Sequence, residues 1–451
     1  TMVGFPSDQI SFITSGLGFN KEDYPPVGNE AFSREIGILA SLNYSYDNRY
    51  LLDVNYRLTG SSDFGADKRW GHFYSFGAGW NVHEEKFLKD VVWINRIKLR
   101  ASTGYTGSQG FSTYAAVPTV NYYQSGYRGQ LGSYLLGLAN PDLAWQKKYD
   151  NNLGIDVTFL DGSLNGRFDW YVSTTKGTIT NVTTPPSTGF ASYTANLGEV
   201  ENKGWEAYLN WRVWNEKASM SYVTLYVSAS GNENTLKKVS NSLKSMNDVT
   251  DKDYDEKSEN TSVPVRYEEG ASMSTIWVVK SLGIDPETGK EVFRKKDGSL
   301  TYDWDSRDYV DGGDTRPKVS GNFGINAEWH GIGLNAGFTW RLGGQIYNTT
   351  LLNKVENADV HKNVDRRVFT DRWNTPGQVA RFKAISDDSS TQPTSRFVED
   401  YNLLTFSSLN VYYDFRECGF VKNSFLQRMK ATFYMNDIAT ISSVKTERGT
   451  S

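Results

Sequence analysis

Four tyrosines, Tyr122, Tyr123, Tyr127 and Tyr134, crowd into one polar stretch around Asn121-Tyr-Tyr-Gln-Ser-Gly-Tyr127. An aromatic face stacks on a ring-shaped polar ligand such as a sugar, and a phenol hydroxyl adds a hydrogen bond, so these four are candidate ligand contacts. Loop packing, or contact with a covering protein, would use the same side chains. Two acidic groupings invite a cation. Asp248, Asp251, Asp253, Asp255, Glu256 and Glu259 place carboxylates at close intervals, as calcium ligands would be. They lack the EF-hand order and its glycine, and a solvated loop is the preferred reading. Residues 283–289, with Asp285 and Glu287, read better as the turn of a hairpin, because Asp-Pro and Thr-Gly are turn formers. Arg96, Lys98, Arg100, Arg167, Arg212 and Arg341 could line an anion path. Asp53, Asp156, Asp169, Glu206 and Glu328 oppose them, so a balanced polar network is expected instead.

Little else is reactive. A nucleophile elbow, a P-loop and a His-Glu-x-x-His zinc motif are all missing from the sequence. A glycosidase would need only two suitably spaced carboxylates, which 52 acidic residues cannot exclude by count, but nothing else points to catalysis. Four histidines and one cysteine, Cys418, form no zinc spacing and no internal disulfide, and no metal or cofactor is expected. The net charge of -4 is spread along the chain, so the basic footprint of a nucleic-acid binder is missing.

The elements that must position these groups are strands. Leu52, Val54, Tyr56 and Leu58 share one face, against Leu51, Asp53, Asn55 and Arg57 on the other. Leu153, Ile155, Val157 and Phe159 oppose Gly154, Asp156 and Thr158, and Leu164, Phe168, Trp170 and Val172 oppose Asn165, Arg167, Asp169 and Tyr171. Strands of about ten residues with an aromatic-rich apolar face fit a bilayer-spanning barrel better than a soluble sandwich, whose strands run to about five or six. Aromatics make up 14% of the 451 residues, and there are 41 glycines, which suit tight strand packing. The mean hydropathy of -0.54 excludes a helical membrane protein only, because half of a barrel's strand residues face water. No apolar run is long enough for a transmembrane helix.

Candidate strands pair as 34–46 with 50–60, 72–82 with 94–104, 151–160 with 164–174, 204–214 with 220–231, 320–329 with 332–342, and 403–415 with 429–436. That makes about twelve strands, with tight-turn signals at Asp47-Asn48, Asp161-Gly162 and His330-Gly331. A short extra hairpin, 275–284 with 290–294, is expected inside a loop. Long connections, 106–149, 176–203, 232–319 and 343–402, alternate with short turns. Outer-membrane barrels have this asymmetry, with the long loops outside the cell. One set of faces is apolar throughout, for example Trp205, Ala207, Leu209, Trp211 and Val213, while Glu206, Tyr208, Asn210 and Arg212 lie on the other.

Several segments in order resemble the SusC/RagA-type TonB-dependent transporters of the Bacteroidetes outer membrane. They are Tyr50-Leu-Leu-Asp-Val-Asn-Tyr-Arg-Leu-Thr-Gly-Ser-Ser-Asp-Phe-Gly65, the stretch 70–87, Leu99-Arg-Ala-Ser-Thr-Gly-Tyr-Thr-Gly-Ser-Gln109, Asn140-Pro-Asp-Leu-Ala-Trp145, Leu197-Gly-Glu-Val-Glu-Asn-Lys-Gly-Trp-Glu206, Gly283-Ile-Asp-Pro-Glu-Thr-Gly289, Arg316-Pro-Lys318 and Gly343-Gly-Gln-Ile-Tyr-Asn348. Gln146 stands where the family usually has Glu, and 436–444 blurs the family's terminal pattern. The resemblance implies an all-β, antiparallel transmembrane barrel of roughly 22 strands around a plug. It implies import of an oligosaccharide or a peptide, driven by TonB through the plug, beneath a SusD-like surface lipoprotein, in contact with outer-membrane lipid.

Residues 1–451 then read as an incomplete barrel region. No plug-like domain or TonB box precedes Ala31, and no terminal aromatic strand closes 448–451, so strands from elsewhere are expected to complete it. Two alternatives remain. One is a secreted all-β glycan-binding protein, which would need no detergent. The other is a passive porin, which would conduct without a plug.

Overall fold

A computed structural model describes residues 2–3, 17–18 and 32–444, except 110–113, 123–131, 136, 185–187, 191, 197, 217–218, 220, 258, 360, 424 and 426. Twelve strands form one antiparallel sheet: β1 Glu35–Tyr46, β2 Tyr50–Ser61, β3 Trp70–Asn81, β4 Ile94–Ser108, β5 Gln146–Phe159, β6 Leu164–Lys176, β7 Glu199–Glu216, β8 Ser221–Lys238, β9 Val319–Trp329, β10 Ile332–Tyr347, β11 Val398–Asp414 and β12 Lys430–Ser442. Their spatial order is their chain order, with β1 and β12 at the two edges. Each strand pairs with its predecessor, the up-and-down pattern of a barrel wall.

The turns are set by residues that tolerate the left-handed region. Tyr46 pairs with Tyr50 across Asp47 (φ 52°) and Asn48 (φ 51°). Trp329 pairs with Ile332 across His330 (φ 47°) and Gly331 (φ 86°), a two-residue hairpin whose twist matches its strands. A Cβ at Gly331 would also sit 2.7 Å from the Asp414 carbonyl oxygen, so this turn demands glycine twice over.

The strands are longer than the alternating apolar pattern suggests, from 11 residues in β9 to 18 in β7 and β8. The extra length lies at the long-loop end. There β7 and β8 continue past Trp205 with charges on the formerly apolar face, where Glu201 pairs with Lys203 at 3.0 Å and Lys237 at 2.9 Å. Hydrogen bonding between strands continues where apolar alternation stops, so strand ends inferred from apolarity fall short.

Two expectations are corrected. Thr275–Val279 does not belong to a hairpin with 290–294. It pairs with Tyr309–Asp314, and Ser281–Ile284 takes Glu291–Arg294 as partner. Every residue of Thr275–Val279 is buried, so it presents no face by which to read its pairing. The acidic run is mostly not a loop. It ends a helix, α1 (Asn241–Glu256), whose N-cap Ser240 accepts from the Leu243 amide at 3.3 Å. Leu243 buries against Val200, Leu236 and Val239. One apolar stripe suffices for a helix that is otherwise polar.

Candidate functional site

The polar side of the sheet carries the network expected from sequence. The Arg100 guanidinium donates to Asp156 at 2.9 and 3.0 Å and to Asp169 at 3.2 Å, and Arg167 donates to Asp169 at 2.6 Å. These four residues come from β4, β5 and β6, brought level because Lys98 pairs with Asp156 and Arg167 with Asp156 in the register. Glu328 accepts from the Tyr412 hydroxyl at 2.5 Å. Arg96, Lys98, Arg212 and Arg341 form no ion pair among the described residues. Arg100→Ala would leave Asp169, whose side chain is 8% exposed, with Arg167 alone. A loss of about 1–3 kcal/mol is expected, read as a lower urea midpoint. Lys148→Ala, which removes an exposed pair with Asp150, should change little.

The two longest connections, 239–318 and 348–397, fold into one lobe at the long-loop end. Ile276, Val278, Tyr347, Leu351, Leu352, Val355, Phe382 and Phe397 share one core, and Trp277, Val279, Phe293 and Tyr309 a second. Between them Arg396 holds two carboxylates from different connections. It donates to Glu291 at 2.7 and 2.6 Å and to Glu356 at 3.2 and 2.5 Å. The Glu356 side chain is fully buried, and the Thr391 hydroxyl at 3.1 Å and the Lys383 amide at 3.3 Å satisfy it further. Thr394 donates to Glu291 at 2.6 Å. Burial opposes the charge on Arg396, but the two glutamates outweigh it and raise its pKa above the ordinary value. Arg372 is buried too, and caps the carbonyls of Lys383, Ala384 and Asp387 at 3.2, 2.7 and 2.9 Å. Burial would raise Asp387, yet the Ser389 hydroxyl and the Lys383 ammonium bring it below the usual carboxylate range.

None of these lobe residues stands out in the sequence. Glu291, Glu356 and Arg396 lie far apart along the chain, and nothing local marks them. The one hint is Ile276-Trp-Val-Val279, an uninterrupted apolar run that reads as fully buried.

The four candidate tyrosines divide. Tyr123 and Tyr127 lie outside the described residues. Tyr122 ends Val120–Tyr122, which pairs with Ser133–Leu135. Its cross-strand partner is Ser133, and that of the exposed Tyr134 is Asn121. Asp285 has its oxygens taken by the Glu287 amide at 3.0 Å and the Thr288 and Tyr302 hydroxyls at 2.7 and 2.8 Å, which is turn chemistry. Among the described residues no group of three or more His, Cys, Asp or Glu is placed to hold a metal ion.

The other side of the sheet is apolar and ends in two aromatic belts. On β5, Tyr149 and Phe159 stand ten positions apart. At about 3.4 Å per residue and a tilt of about 45°, that spans roughly 24 Å, the height of a barrel's lipid-facing band. In the upper belt Tyr105 meets Tyr74 edge to face at 4.6 Å and the tilted Tyr149 ring at 5.2 Å, with Lys147 over Tyr105 at 5.8 Å and Lys176 over Tyr149 at 5.4 Å. Tyr50–Trp80 and Trp93–Phe159, at 6.5 and 5.6 Å, mark the lower one. No described helix is long and apolar enough to cross a membrane.

A family profile described as TonB dependent receptor-like, beta-barrel, matches residues 7–415. The chain belongs to that family. This TonB-dependent receptor barrel is an outer-membrane protein, and the secreted alternative falls away. It is 25% identical over 492 aligned positions to TonB-dependent receptor P39 of Formosa agariphila, covering 97% of the chain and 45% of the relative. It is 36% identical over 189 positions to TonB-dependent receptor SusC of Bacteroides thetaiotaomicron, covering 39% of the chain and 18% of SusC. The solved RagAB peptide transporter superimposes with a TM-score of 0.80 at 20% identity, over 98% of this chain and 48% of that one. The SusC/RagA resemblance read from the motifs is thus matched by both relatives and fold. The barrel spans about half the length of the curated relatives it matches, and these relatives are receptors and transporters, not enzymes.

Proposed function

We propose that this barrel serves TonB-dependent import of a nutrient across the outer membrane, an oligosaccharide or an oligopeptide, with the long-loop end facing outward. The observation that carries the reading is the division of the sheet. One face is apolar between aromatic belts, the other holds a balanced charge network, and a folded lobe stands at one end only. A polar wall suits a water-filled or plugged interior, and a rigid lobe suits a rim against which a lid closes. The partners of this reading are a SusD-like lipoprotein over the lobe and a plug that reaches TonB. Tyr122, Tyr123, Tyr127 and Tyr134 remain the proposed ligand contacts, by stacking.

The test is extraction of the native protein from outer membranes in mild detergent, with identification of whatever co-purifies. A surface lipoprotein together with plug sequence is the expected result, and the lipoprotein's own ligand would then distinguish glycan from peptide. A protein recovered without either would overturn the importer reading.

A further inference from the structure

We infer that three connections at the long-loop end, 62–69, 109–145 and 177–198, are tied into one knot that holds the hairpin of Val120–Tyr122 and Ser133–Leu135 in a fixed pose, so that a ligand meets a preset surface and not a mobile flap. The inference rests on the reading of Tyr122 and Tyr134, which this hairpin carries, as ligand contacts. Both feet of its connection are fastened. At the first foot the Gln109 side-chain amide donates to the buried Asp63 carboxylate, which also accepts from the Ser33 hydroxyl at 2.8 Å. At the second foot the Asn140 backbone amide donates to the Ala115 carbonyl at 3.2 Å, which closes the base of the segment bearing the hairpin.

The second foot is locked from two sides. On one side lies the connection 62–69. The Gly65 amide donates to the Leu143 carbonyl at 3.3 Å, the Trp145 indole donates to the Arg69 carbonyl at 3.2 Å, and the Phe64 and Trp145 rings stack at 4.1 Å. Phe64 and Leu143 are fully buried. A Cβ on Gly65 would lie 1.7 Å from the Pro141 carbonyl oxygen, so the two backbones touch where only glycine fits. On the other side is the hairpin of Ile179–Thr183 and Ser192–Asn196. The Asn140 side-chain amide donates to the Thr194 carbonyl at 2.8 Å. The Asn196 side chain accepts from the Ala144 amide and donates to the Ala144 carbonyl, both at 2.8 Å, and donates to the Gly177 carbonyl at 3.0 Å.

These contacts add no hydrogen bond to the ladder of the wall. β2 ends at Ser61, β4 ends at Ser108 and β5 begins at Gln146, so Asp63, Gly65, Gln109 and residues 140–145 all lie beyond the strand ends. What they fix is the course of one connection. Three of the stretches that resemble the transporter family, 50–65, 99–109 and 140–145, converge on this point. A surface held ready loses less freedom when a ligand settles on it, which leaves more of the contact energy for binding. Gly65, Trp145, Asn140 and Asn196 are therefore positioning residues, which act through the hairpin they hold.

Gly65→Ala is the wedge that tests it. Gly65 has φ −52° and ψ 151°, which alanine also adopts, so the variant acts through the collision with Pro141. The measurement is a spin-label distance by pulsed EPR in the full-length protein from outer membranes, in a Cys418→Ser background. One label is on Ser133→Cys in the hairpin. The other is on Lys148→Cys, an exposed position of β5 that pairs with Thr106 and Thr175 on its two neighbours. One narrow distance is expected without the wedge, and its loss to a broad distribution with Gly65→Ala. Trp145→Ala should lose it too, whereas Trp145→Phe, which keeps the stack on Phe64, should restore it. The gel-mobility shift of a folded barrel is checked for every variant. A broad distance without the wedge, or a narrow one in either folded variant, Gly65→Ala or Trp145→Ala, would overturn the inference. The tyrosine reading is tested apart from it, by capture of a starch hydrolysate and of a tryptic casein digest on wild type and on Y122A/Y134A. Weaker capture by the double variant supports that reading. Equal capture beside a narrow distance would sink the tyrosine contacts and spare the knot.

Discussion

Arg396→Ala should open the lobe, at a cost of about 3–5 kcal/mol to its local stability. The reason is not the ion pairs themselves, since replacing such a triad with apolar groups often costs nothing. The reason is what remains behind. Glu291 and Glu356 would stay buried, 7% and 0% exposed, with no cation between them. Each would keep only hydroxyl and amide donors. The change should be confined to the lobe, because the strands below it are held by their own ladder. Hydrogen exchange is the measurement. Amides of Thr275–Val279 and of the segment Leu352–Glu356 should lose protection, while β9 and β10 keep theirs. Unchanged exchange in those two segments would show that the apolar cores alone hold the lobe. In the importer reading, the same variant should weaken association with the lipoprotein lid, because a lid needs a rim of fixed shape.

Phe338→Arg should be nearly as damaging, for a different reason. Phe338 lies mid-strand on the apolar face, stacked between Phe323 at 5.0 Å and Phe406 at 4.6 Å. A guanidinium there would sit in hydrocarbon, costing about 2–4 kcal/mol near the midplane, besides the lost ring contacts. Asn335→Arg is the matched control. Asn335 pairs with Asn326 and Asn410 on the polar face of the same strand, so an added charge meets water or the interior network. The readout is folding into lipid vesicles under a urea gradient, followed by the shift in gel mobility between folded and unfolded barrel. A lowered midpoint for Phe338→Arg alone is expected. Equal loss for both variants would contradict the assignment of faces.

Much of the wall is legible in the sequence, because a barrel strand writes its environment into a period of two. Leu153, Ile155 and Val157 on one side and Asp156 on the other are enough to place that strand's two faces. The twelve strands and their chain-order pairing follow from repetition of that pattern and from turn pairs such as His330-Gly331. The strand ends are not legible, since β7 and β8 go on pairing above Trp205 with charged residues such as Glu201, Lys203 and Glu233 on the face that is apolar below it.

The candidate site reads unevenly for the same reason. Arg100, Asp156, Arg167 and Asp169 can be expected together because register between adjacent strands fixes which side chains meet. The lobe offers no such rule. Thr275–Val279 is buried on both sides, α1 shows a single stripe in an acidic sequence, and Arg396 meets Glu291 and Glu356 only because two connections fold against each other.

Sequence alone determined the class, the order of the strands and the two faces of the wall, because these depend on local alternation and on nearest-neighbour pairing. Tertiary structure decided the lobe and the Arg396 clamp. Those depend on contacts between residues far apart along the chain, for which it carries no periodic mark.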